Sequence, residues 1–429
     1  MLSWLLKAGG YTAVLRVIAT AMTLVFVSAM SLWMPAADFG VMAMVIAIAT
    51  LAAAVGGFGQ SEQIVRDVPL ALATQRTEEA AALIRRASHR VALVAPLPAT
   101  VAGGYFIWAG QGVIVGACAF VMVIALSFNL AWSGAARSYG RYLWALAPKD
   151  IFWRAGALVL AAVVMLLGLD LTIKVVMLLL AGSLALSVAA QGHVLQLRPR
   201  QIIRRPRAGQ GDWLTGFALM LSVAAYTAQS TLDVFLIGAF MSPEAAAAYF
   251  PANRIALVAG FFFIPFQLVI SPRLSRLVRG RDIAGAQRLN TLGTGIVAIA
   301  AILVAILLIL TYDLYSPAFG TANDTTRRAI EILVMGQVGV ALMGFPGVIL
   351  IAADQQNLMA RVNIGFFVLG TLALCAAAAS GSIEAVALTA VLGLVGAKLA
   401  LTCLAAKHTG ILPIHLPHTG SAPRMKTKR

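Results

Sequence analysis

Residues 291–312 read TLGTGIVAIAAILVAILLILTY, a run in which only threonines and one tyrosine interrupt the apolar side chains and glycines. A helix of about twenty apolar residues crosses the hydrocarbon core of a bilayer. The other spanning structure, a β-barrel, is built from strands that alternate apolar and polar residues. The segment ILVAILLIL at 302–310 does not alternate. The run therefore predicts a transmembrane helix.

Similar apolar stretches recur along the whole chain. The sequence is 61% hydrophobic and only 11% charged, whereas soluble globular domains carry about 25% charged residues. This composition excludes a soluble protein and predicts an all-α integral membrane protein with about twelve transmembrane helices. We expect them at residues 11–33, 39–59, 91–109, 112–133, 151–168, 171–191, 213–238, 248–270, 291–312, 329–352, 361–379 and 383–406.

The positive charge is distributed among the connections between these stretches. The formal net charge is +16, and no basic polar domain of the kind that binds nucleic acid is present. Every second connection is rich in Lys and Arg, and the pattern matches the positive-inside rule. We therefore predict a multi-pass protein of the bacterial inner membrane with both termini in the cytoplasm. The basic connections are 60–90, 134–154, 192–212 and 271–290, followed by a basic C-terminal tail.

The connection at 192–212 divides the predicted spans into two groups of about six. Its prolines and glycines favour a linker over a continuing helix. The halves share a layout: the separation from Phe39 to Arg66 equals that from Tyr249 to Arg276. A repeat of six plus six spans is typical of transporters that bind substrate between the halves. The predicted domains are an N-terminal lobe at 1–192, a cytoplasmic linker at 193–212, a C-terminal lobe at 213–406 and a disordered cytoplasmic tail at 407–429.

Two segments carry a resemblance to a known family. Residues 36–66 read AADFGVMAMVIAIATLAAAVGGFGQSEQIVR, and residues 232–278 read LDVFLIGAFMSPEAAAAYFPANRIALVAGFFFIPFQLVISPRLSRLV. The chain resembles the polysaccharide flippases of the multidrug/oligosaccharidyl-lipid/polysaccharide (MOP) superfamily, which include O-antigen and exopolysaccharide repeat-unit translocases. It departs from their pattern at Ala248, where glycine commonly precedes the tyrosine.

The resemblance implies both architecture and activity. It implies two six-helix lobes around a central cavity, in a fold of the MOP and MATE type. The implied activity is translocation of undecaprenyl-diphosphate-linked oligosaccharides across the membrane by a transporter that is not an enzyme. Membrane lipids surround such a protein, and a polysaccharide polymerase and chain-length machinery are its expected partners.

A charge inside a transmembrane span is costly and marks a functional candidate, and three ionisable residues within predicted spans are singled out. We predict that Arg16 and Arg254 bind the lipid diphosphate, because a guanidinium pairs with phosphate through two hydrogen bonds. Snorkelling of either side chain to the membrane surface is the alternative. Asp233 is the candidate for coupling transport to H⁺ or Na⁺. A structural hydrogen bond, or an ion pair with Arg254, is the alternative for Asp233.

Neutral polar residues within spans supply further candidates. Asn129, Gln229 and Asn253 either line a polar cavity or form hydrogen bonds between helices. The cysteines, Cys118, Cys375 and Cys403, have no spacing that indicates a metal site. We therefore expect no metal and no cofactor other than a coupling ion.

Two other functions remain open from the sequence. An ion-coupled multidrug antiporter would share the fold, but no acidic residue falls inside a predicted span of the first lobe. A membrane polysaccharide polymerase or ligase would need a large polar loop for its chemistry, and the loop around YDLYSPAFGTANDTTRR at 312–328 is modest.

Overall fold

The computed structural model describes residues 2–197, 213–320 and 323–413, and within them the regular structure is helical throughout. The first half contains α1 (Leu2–Trp33), α2 (Ala36–Gly56), α3 (Gln60–Ala73), α4 (Thr77–Val94), α5 (Pro96–Trp108), α6 (Val113–Ser138), α7 (Tyr142–Ala147), a π-helical turn (Pro148–Phe152), α8 (Trp153–Leu166) and α9 (Ile173–Val194). The second half contains α10 (Trp213–Phe240), α11 (Pro243–Ala259), α12 (Phe263–Arg279), α13 (Ile283–Leu310), α14 (Tyr312–Tyr315), a 3₁₀ turn (Ser316–Phe319), α15 (Asp324–Leu342), α16 (Pro346–Ala352), α17 (Gln356–Ala379) and α18 (Ile383–Thr409).

The prediction of an all-α membrane protein is confirmed. Ten helices among the described residues are long and apolar enough to cross a bilayer. Two predicted spans are not among these ten, and each lies in an interrupted rod; the span at 329–352 is also broken, at Met343–Phe345, but is one of the ten. The span at 151–168 is the end of a longer rod that begins at Tyr142 and contains the π-helical turn. The span at 248–270 is broken between Ala259 and Phe263, where the carbonyl of Gly260 accepts the amide of Phe263.

One helical order occurs in both halves. A largely apolar helix (α2 or α11) is followed by a break, an amphipathic helix (α3 or α12), a three-residue turn and a further helix (α4 or α13). The turns have the same backbone conformation: Gln75 and Arg281 each have φ of 59°, in the left-handed region. The amide after each of them donates to the carbonyl five residues earlier, Ala71 or Leu277. These turns support the repeat that the sequence predicts.

The described chain divides into two compact units. The N-terminal unit comprises Thr12–Phe250 with Ala318–Gly320, and the C-terminal unit comprises the residues after Phe250, apart from that short segment, together with Met1–Tyr11. The predicted domain boundaries remain a prediction, since most of the linker, 198–212, and most of the tail, 414–429, lie outside the described residues. Residues 407–409 complete α18, which ends at Gly410 in the left-handed conformation.

In the N-terminal unit, small residues bring α2 and α10 into contact along their length. A Cβ atom on Gly238 of α10 would overlap the side chain of Met44 on α2, and one on Gly40 of α2 would overlap the carbonyl oxygen of Pro243, at the start of α11. Lipid tails are as apolar as side chains, so close packing rather than hydrophobic burial drives such association. The contact between α2 and α10 continues past the end of α2 to Gly59, which has φ of 64° and directly precedes α3.

In the C-terminal unit, α18 packs against α15, α16 and α17. The α15–α16 break at Met343–Phe345 places Phe345 against Phe263, with ring centroids 5.2 Å apart. The ammonium of Lys398 lies 4.3 Å from the centre of the Phe263 ring. The side chain of Thr402 donates to the carbonyl of Met343 at 3.3 Å and so occupies an acceptor that the break frees.

Candidate functional site

Arg16 lies on α1, half-buried, in the N-terminal unit. Its side chain lines a cavity of about 130 Å³ together with Thr20, Thr23 and Asp150. Within the described part of the chain, no ion-pair or hydrogen-bond partner of its guanidinium is present. Five N–H donors are therefore available to a ligand with acceptor oxygens. This is the chemistry that the predicted diphosphate site requires.

The packing of α1 positions the backbone that carries Arg16. Phe26 is 1% exposed and contacts Trp153, with ring centroids 5.9 Å apart. Trp153 opens α8 directly after the π-helical turn, so one aromatic contact joins α1 to the rod that carries Asp150. The cavity is lined by one face of α1, because Arg16, Thr20 and Thr23 follow helical spacing.

Asp150 is a charged residue of this cavity that the sequence analysis did not single out. It lies within the π-helical turn, and its side chain is 28% exposed. The sequence offers one signal, because Asp150 and Arg154 are four residues apart and would face each other on a helix. The apolar pattern predicted a span beginning only at residue 151, so Asp150 was assigned to the connection. The sequence disfavoured an ion-coupled antiporter because no acidic residue falls inside a predicted span of the first lobe. Asp150, within a helical rod, weakens that argument.

Asp233, the predicted coupling residue, lies on α10 and is 2% exposed. Its carboxylate accepts a hydrogen bond of 2.7 Å from the hydroxyl of Tyr249 on α11. The second oxygen lies 2.9 Å from the amide nitrogen of Val234. A buried carboxylate with these two donors fits the alternative role for Asp233, a structural hydrogen bond. The coupling role stays a prediction, and the ion pair with Arg254 stays an alternative to it.

Arg254 and Asn253 follow Pro251 on α11, at the start of the C-terminal unit. Arg254 is half-buried and Asn253 is 6% exposed. Both side chains take part in further interactions of the folded protein. Gln229 is half-buried on α10, one turn before Asp233. Arg16 belongs to the N-terminal unit and Arg254 to the C-terminal unit.

Asn129 belongs to a polar network inside the N-terminal unit. It is 0% exposed, and its side-chain amide donates to Gln191 of α9 at 2.9 Å. Gln191 in turn donates to the carbonyl of Trp144 at 2.7 Å. This is the interhelical arrangement that was the alternative to a cavity role for Asn129. Buried polar groups are costly unless they are paired, and here each partner satisfies the other.

The carboxylate of Asp38 also joins elements within this unit. It accepts the backbone amide of Ile173 at 3.0 Å, at the first turn of α9. Unpaired amides at a helix N-terminus favour an anionic acceptor. Asp38 therefore joins the start of α2 to the start of α9. Among the described residues, no group of three or more His, Cys, Asp or Glu side chains forms a metal site.

Solved structures with the same architecture cover almost the whole chain. An inward-facing multidrug resistance MATE family transporter of the MOP superfamily matches with a TM-score of 0.69 and 13% identity, over 93% of this chain and 98% of that chain. The chain has the fold of the MATE transporters. An outward-facing multidrug resistance MATE transporter matches with a TM-score of 0.66 and 13% identity, over 94% of this chain and 96% of that chain.

A third structure with this MATE fold comes from Vibrio cholerae. This transporter variant matches with a TM-score of 0.59 and 14% identity, over 94% of this chain and 97% of that chain. All three are transporters rather than enzymes. Comparison with protein-family models gave no match. Comparison with curated proteins gave no match either. The MATE fold and its long apolar helices make the chain a multi-pass membrane protein.

Proposed function

We propose that the protein is a flippase that moves undecaprenyl-diphosphate-linked oligosaccharides across the bacterial inner membrane for surface polysaccharide assembly. The observation that carries the proposal is the half-buried Arg16 guanidinium, which lines a cavity in the N-terminal unit. The MATE fold supports a transporter, and the segments at 36–66 and 232–278 support the flippase type. Both termini lie in the cytoplasm under this proposal.

The chemistry of the cargo explains why a cationic site is needed. A bare diphosphate at the bilayer centre would lose its hydration at a large free-energy cost. An arginine replaces part of that hydration with two charge-assisted hydrogen bonds. Arg16 would receive the headgroup from the cytoplasmic side, and Arg254 would contact it nearer the outside. Of the neutral polar candidates for the cavity, Asn129 is occupied by its interhelical hydrogen bond, so Gln229 and Asn253 are the residues we assign to the sugar.

The transport cycle needs a step that releases the cargo. A site that binds a diphosphate tightly would retain the product, so a coupled ion, H⁺ or Na⁺, resets the protein in this proposal. Asp233 is the residue that we assign to coupling. The two halves would change access by alternating movement, as in transporters with internal repeats. A polysaccharide polymerase and chain-length machinery would consume the product on the outer side.

The decisive experiment follows the lipid-linked intermediate. In a strain that lacks the gene and any redundant flippase, repeat units should accumulate on the cytoplasmic leaflet, and the wild-type gene should restore surface polysaccharide. Normal surface polysaccharide in that strain would overturn the proposal. Intermediates that reach the outer leaflet but remain unpolymerised would instead indicate a polymerase or ligase.

An ion-coupled multidrug antiporter is the second candidate, and the structural likeness favours it. The matched structures include multidrug resistance transporters, and Asp150 supplies a carboxylate within a helical rod of the N-terminal unit. An antiporter would lower drug accumulation in cells that express it. Unchanged susceptibility to cationic drugs on deletion, together with trapped lipid-linked repeat units, would favour the flippase.

A further inference from the structure

Three consecutive backbone carbonyls of the π-helical turn are bound by side chains. The hydroxyl of Ser187 donates to the carbonyl of Pro148 at 3.0 Å. The indole N–H of Trp153 donates to that of Lys149, and the guanidinium of Arg154 donates to that of Asp150 at 2.8 Å. π-Helical turns are rare and often mark functional sites. Here the side-chain bonds stabilise the turn and so fix the position of Asp150.

Arg154 is committed to this backbone rather than to the Asp150 carboxylate. Its side chain is 15% exposed, and its guanidinium carbon lies 4.6 Å from the centre of the Trp153 ring. The distance from its nitrogen to the nearest carboxylate oxygen of Asp150 is 4.0 Å, longer than a hydrogen bond. The carboxylate is therefore only loosely paired within its own helix.

The same carboxylate lines the Arg16 cavity. The volume of about 130 Å³ has room for roughly four waters at about 30 Å³ each, or for one phosphate group with fewer waters. The charged side chains that line it are Arg16 from α1 and Asp150 from the turn, and the remaining lining residues are neutral. An anion that enters to bind Arg16 must therefore also approach a negative charge.

We propose that Asp150 is an affinity-setting residue of the Arg16 site, a counter-charge that weakens diphosphate binding so that the headgroup can leave. The inference rests on the flippase function proposed above. With the headgroup absent, Asp150 shares the cavity with Arg16 without an ion pair to it. With the headgroup present, repulsion from Asp150 opposes the attraction of Arg16. Removing the negative charge of Asp150 should make the site bind the headgroup more tightly and release it more slowly.

The first test measures binding to the purified full-length protein, with farnesyl diphosphate as the probe and farnesol as the uncharged comparison. Asp150→Asn preserves the shape of the side chain and removes its charge, so we expect about tenfold tighter binding of the diphosphate, equivalent to about 1.4 kcal/mol. Asp150→Glu should bind as the wild type does. Asp170→Asn removes an equal charge from the exposed α8–α9 connection and should leave binding unchanged.

The second test measures transport of the lipid-linked substrate by the same variants in proteoliposomes. Asp150→Asn should lower both KM and kcat, because the headgroup is held more tightly and leaves more slowly. A merely structural role would reduce the amount of folded protein and leave KM unchanged. Should Asp150→Asn fail to fold, Asp150→Ser removes the same charge and carries the same expectations.

The outcomes separate this inference from the proposed function. If Arg16→Ala abolishes binding and Asp150→Asn binds as the wild type does, the role of Asp150 is overturned and the flippase proposal stands. If Arg16→Ala and the wild type bind the diphosphate equally, or neither the wild type nor Asp150→Asn binds it, the Arg16 site is not a diphosphate site and both proposals fail. Weaker binding by folded Asp150→Asn would also overturn the inference.

Discussion

The hydroxyl of Tyr249 donates a 2.7 Å hydrogen bond to the buried carboxylate of Asp233, and the bond joins α10 to α11. Asp233 is thus held in place whether or not it couples an ion to transport. The two roles predict different behaviour for the two partners. If the hydrogen bond is only structural, replacing Tyr249 or Asp233 should have the same effect. If Asp233 couples an ion to transport, only replacing its carboxylate should change the ion dependence.

We predict that Asp233→Asn changes the pH or Na⁺ dependence of transport, while Tyr249→Phe leaves that dependence intact. Both variants should be less stable, because a hydrogen bond to a charged group contributes about 1.5–3 kcal/mol. Transport in proteoliposomes under imposed ion gradients, with thermal unfolding in detergent, measures both effects. An Asp233→Asn protein with the wild-type ion dependence would leave Asp233 as a structural residue only.

The close approach of α2 to the start of α11 predicts a strong effect of one methyl group. Gly40→Ala places a Cβ atom against the backbone of Pro243, which cannot move away as a flexible side chain can. We expect a loss of about 1–3 kcal/mol, the usual cost of overpacking, seen as a lower unfolding temperature. Gly104→Ala is the matched control, since a Cβ atom there meets nothing within 4 Å. Equal unfolding temperatures for the two variants would contradict the close approach.

The repeated turns after α3 and α12 predict stabilising substitutions. Gln75 and Arg281 adopt a left-handed conformation that costs a residue with a Cβ atom roughly 1–2 kcal/mol. Gln75→Gly and Arg281→Gly remove that strain but add flexibility to the unfolded chain, so a net gain of about 0.5–1 kcal/mol is expected. The neighbouring Thr74 has φ of −95°, and Thr74→Gly should destabilise. Thermal unfolding of the three variants tests the pattern, and destabilisation by both glycine substitutions at 75 and 281 would refute it.

Tyr315, beyond the end of α13, predicts a loss of stability at high pH. Desolvation by burial, with a smaller contribution from Tyr312, raises the pKa of Tyr315 to about 12, whereas an unfolded tyrosine ionises near pH 10. Below about pH 10 the Tyr315 hydroxyl keeps its proton in both the folded and the unfolded protein, so ionisation of Tyr315 does not lower stability there. Between about pH 10 and pH 12 only the unfolded state releases it, so stability falls.

Unfolding temperatures measured across this alkaline range should fall more steeply for the wild type than for Tyr315→Phe. The hydrogen bond from the Tyr315 hydroxyl to the carbonyl of Leu308, 3.0 Å long, is lost in the variant at every pH. Losing this hydrogen bond lowers the unfolding temperature of Tyr315→Phe equally at every pH, so it does not contribute to the predicted difference in pH dependence. Parallel curves for the two proteins would show that Tyr315 does not titrate as described.

The sequence predicted the helices wherever an apolar run was long and bounded by polar residues, as it is at α13. It failed at the rods that contain the predicted spans 151–168 and 248–270, for identifiable reasons. The segment around the break at Gly260–Phe263 is apolar on both sides, so hydropathy carries no signal of the interruption, and Gly260 and Pro265 are each tolerated within a membrane helix. Pro148 fits equally well at the start of a new helix, and the π-helical turn depends on bonds from Ser187, Trp153 and Arg154.

The candidate site was predictable only in part. Arg16 was found because a charge inside an apolar stretch is conspicuous. Asp150 was missed because its place in the cavity depends on α1 and α7–α8 lying side by side, which the Phe26–Trp153 contact secures across 127 residues of sequence. From the sequence alone, Asn129 cannot be told apart from a polar residue that lines a cavity. Only the hydrogen bond to Gln191 in the structure shows that it is paired.

The arginines carry the final prediction. Arg16→Ala and Arg254→Ala should each lower transport of the lipid-linked substrate by about 10- to 100-fold, the equivalent of losing hydrogen bonds to a charged group worth about 1.5–3 kcal/mol. Arg16→Lys should keep more activity than Arg16→Ala, since the charge remains while the two-point geometry is lost. Arg279→Ala, at the exposed end of α12, is the control for loss of positive charge and should transport normally.

Insertion and folding must be equal across these variants for the comparison to hold, and thermal unfolding with membrane fractionation establishes this. Snorkelling of either arginine to the surface would predict a modest effect that Lys rescues fully, because a lysine reaches the interface as well as an arginine does. Diphosphate binding predicts partial rescue, because an ammonium offers charge without the paired donors. If folded Arg16→Ala and Arg254→Ala proteins both transport at the wild-type rate, neither guanidinium contacts the headgroup, and a cationic path for the diphosphate through these residues is excluded.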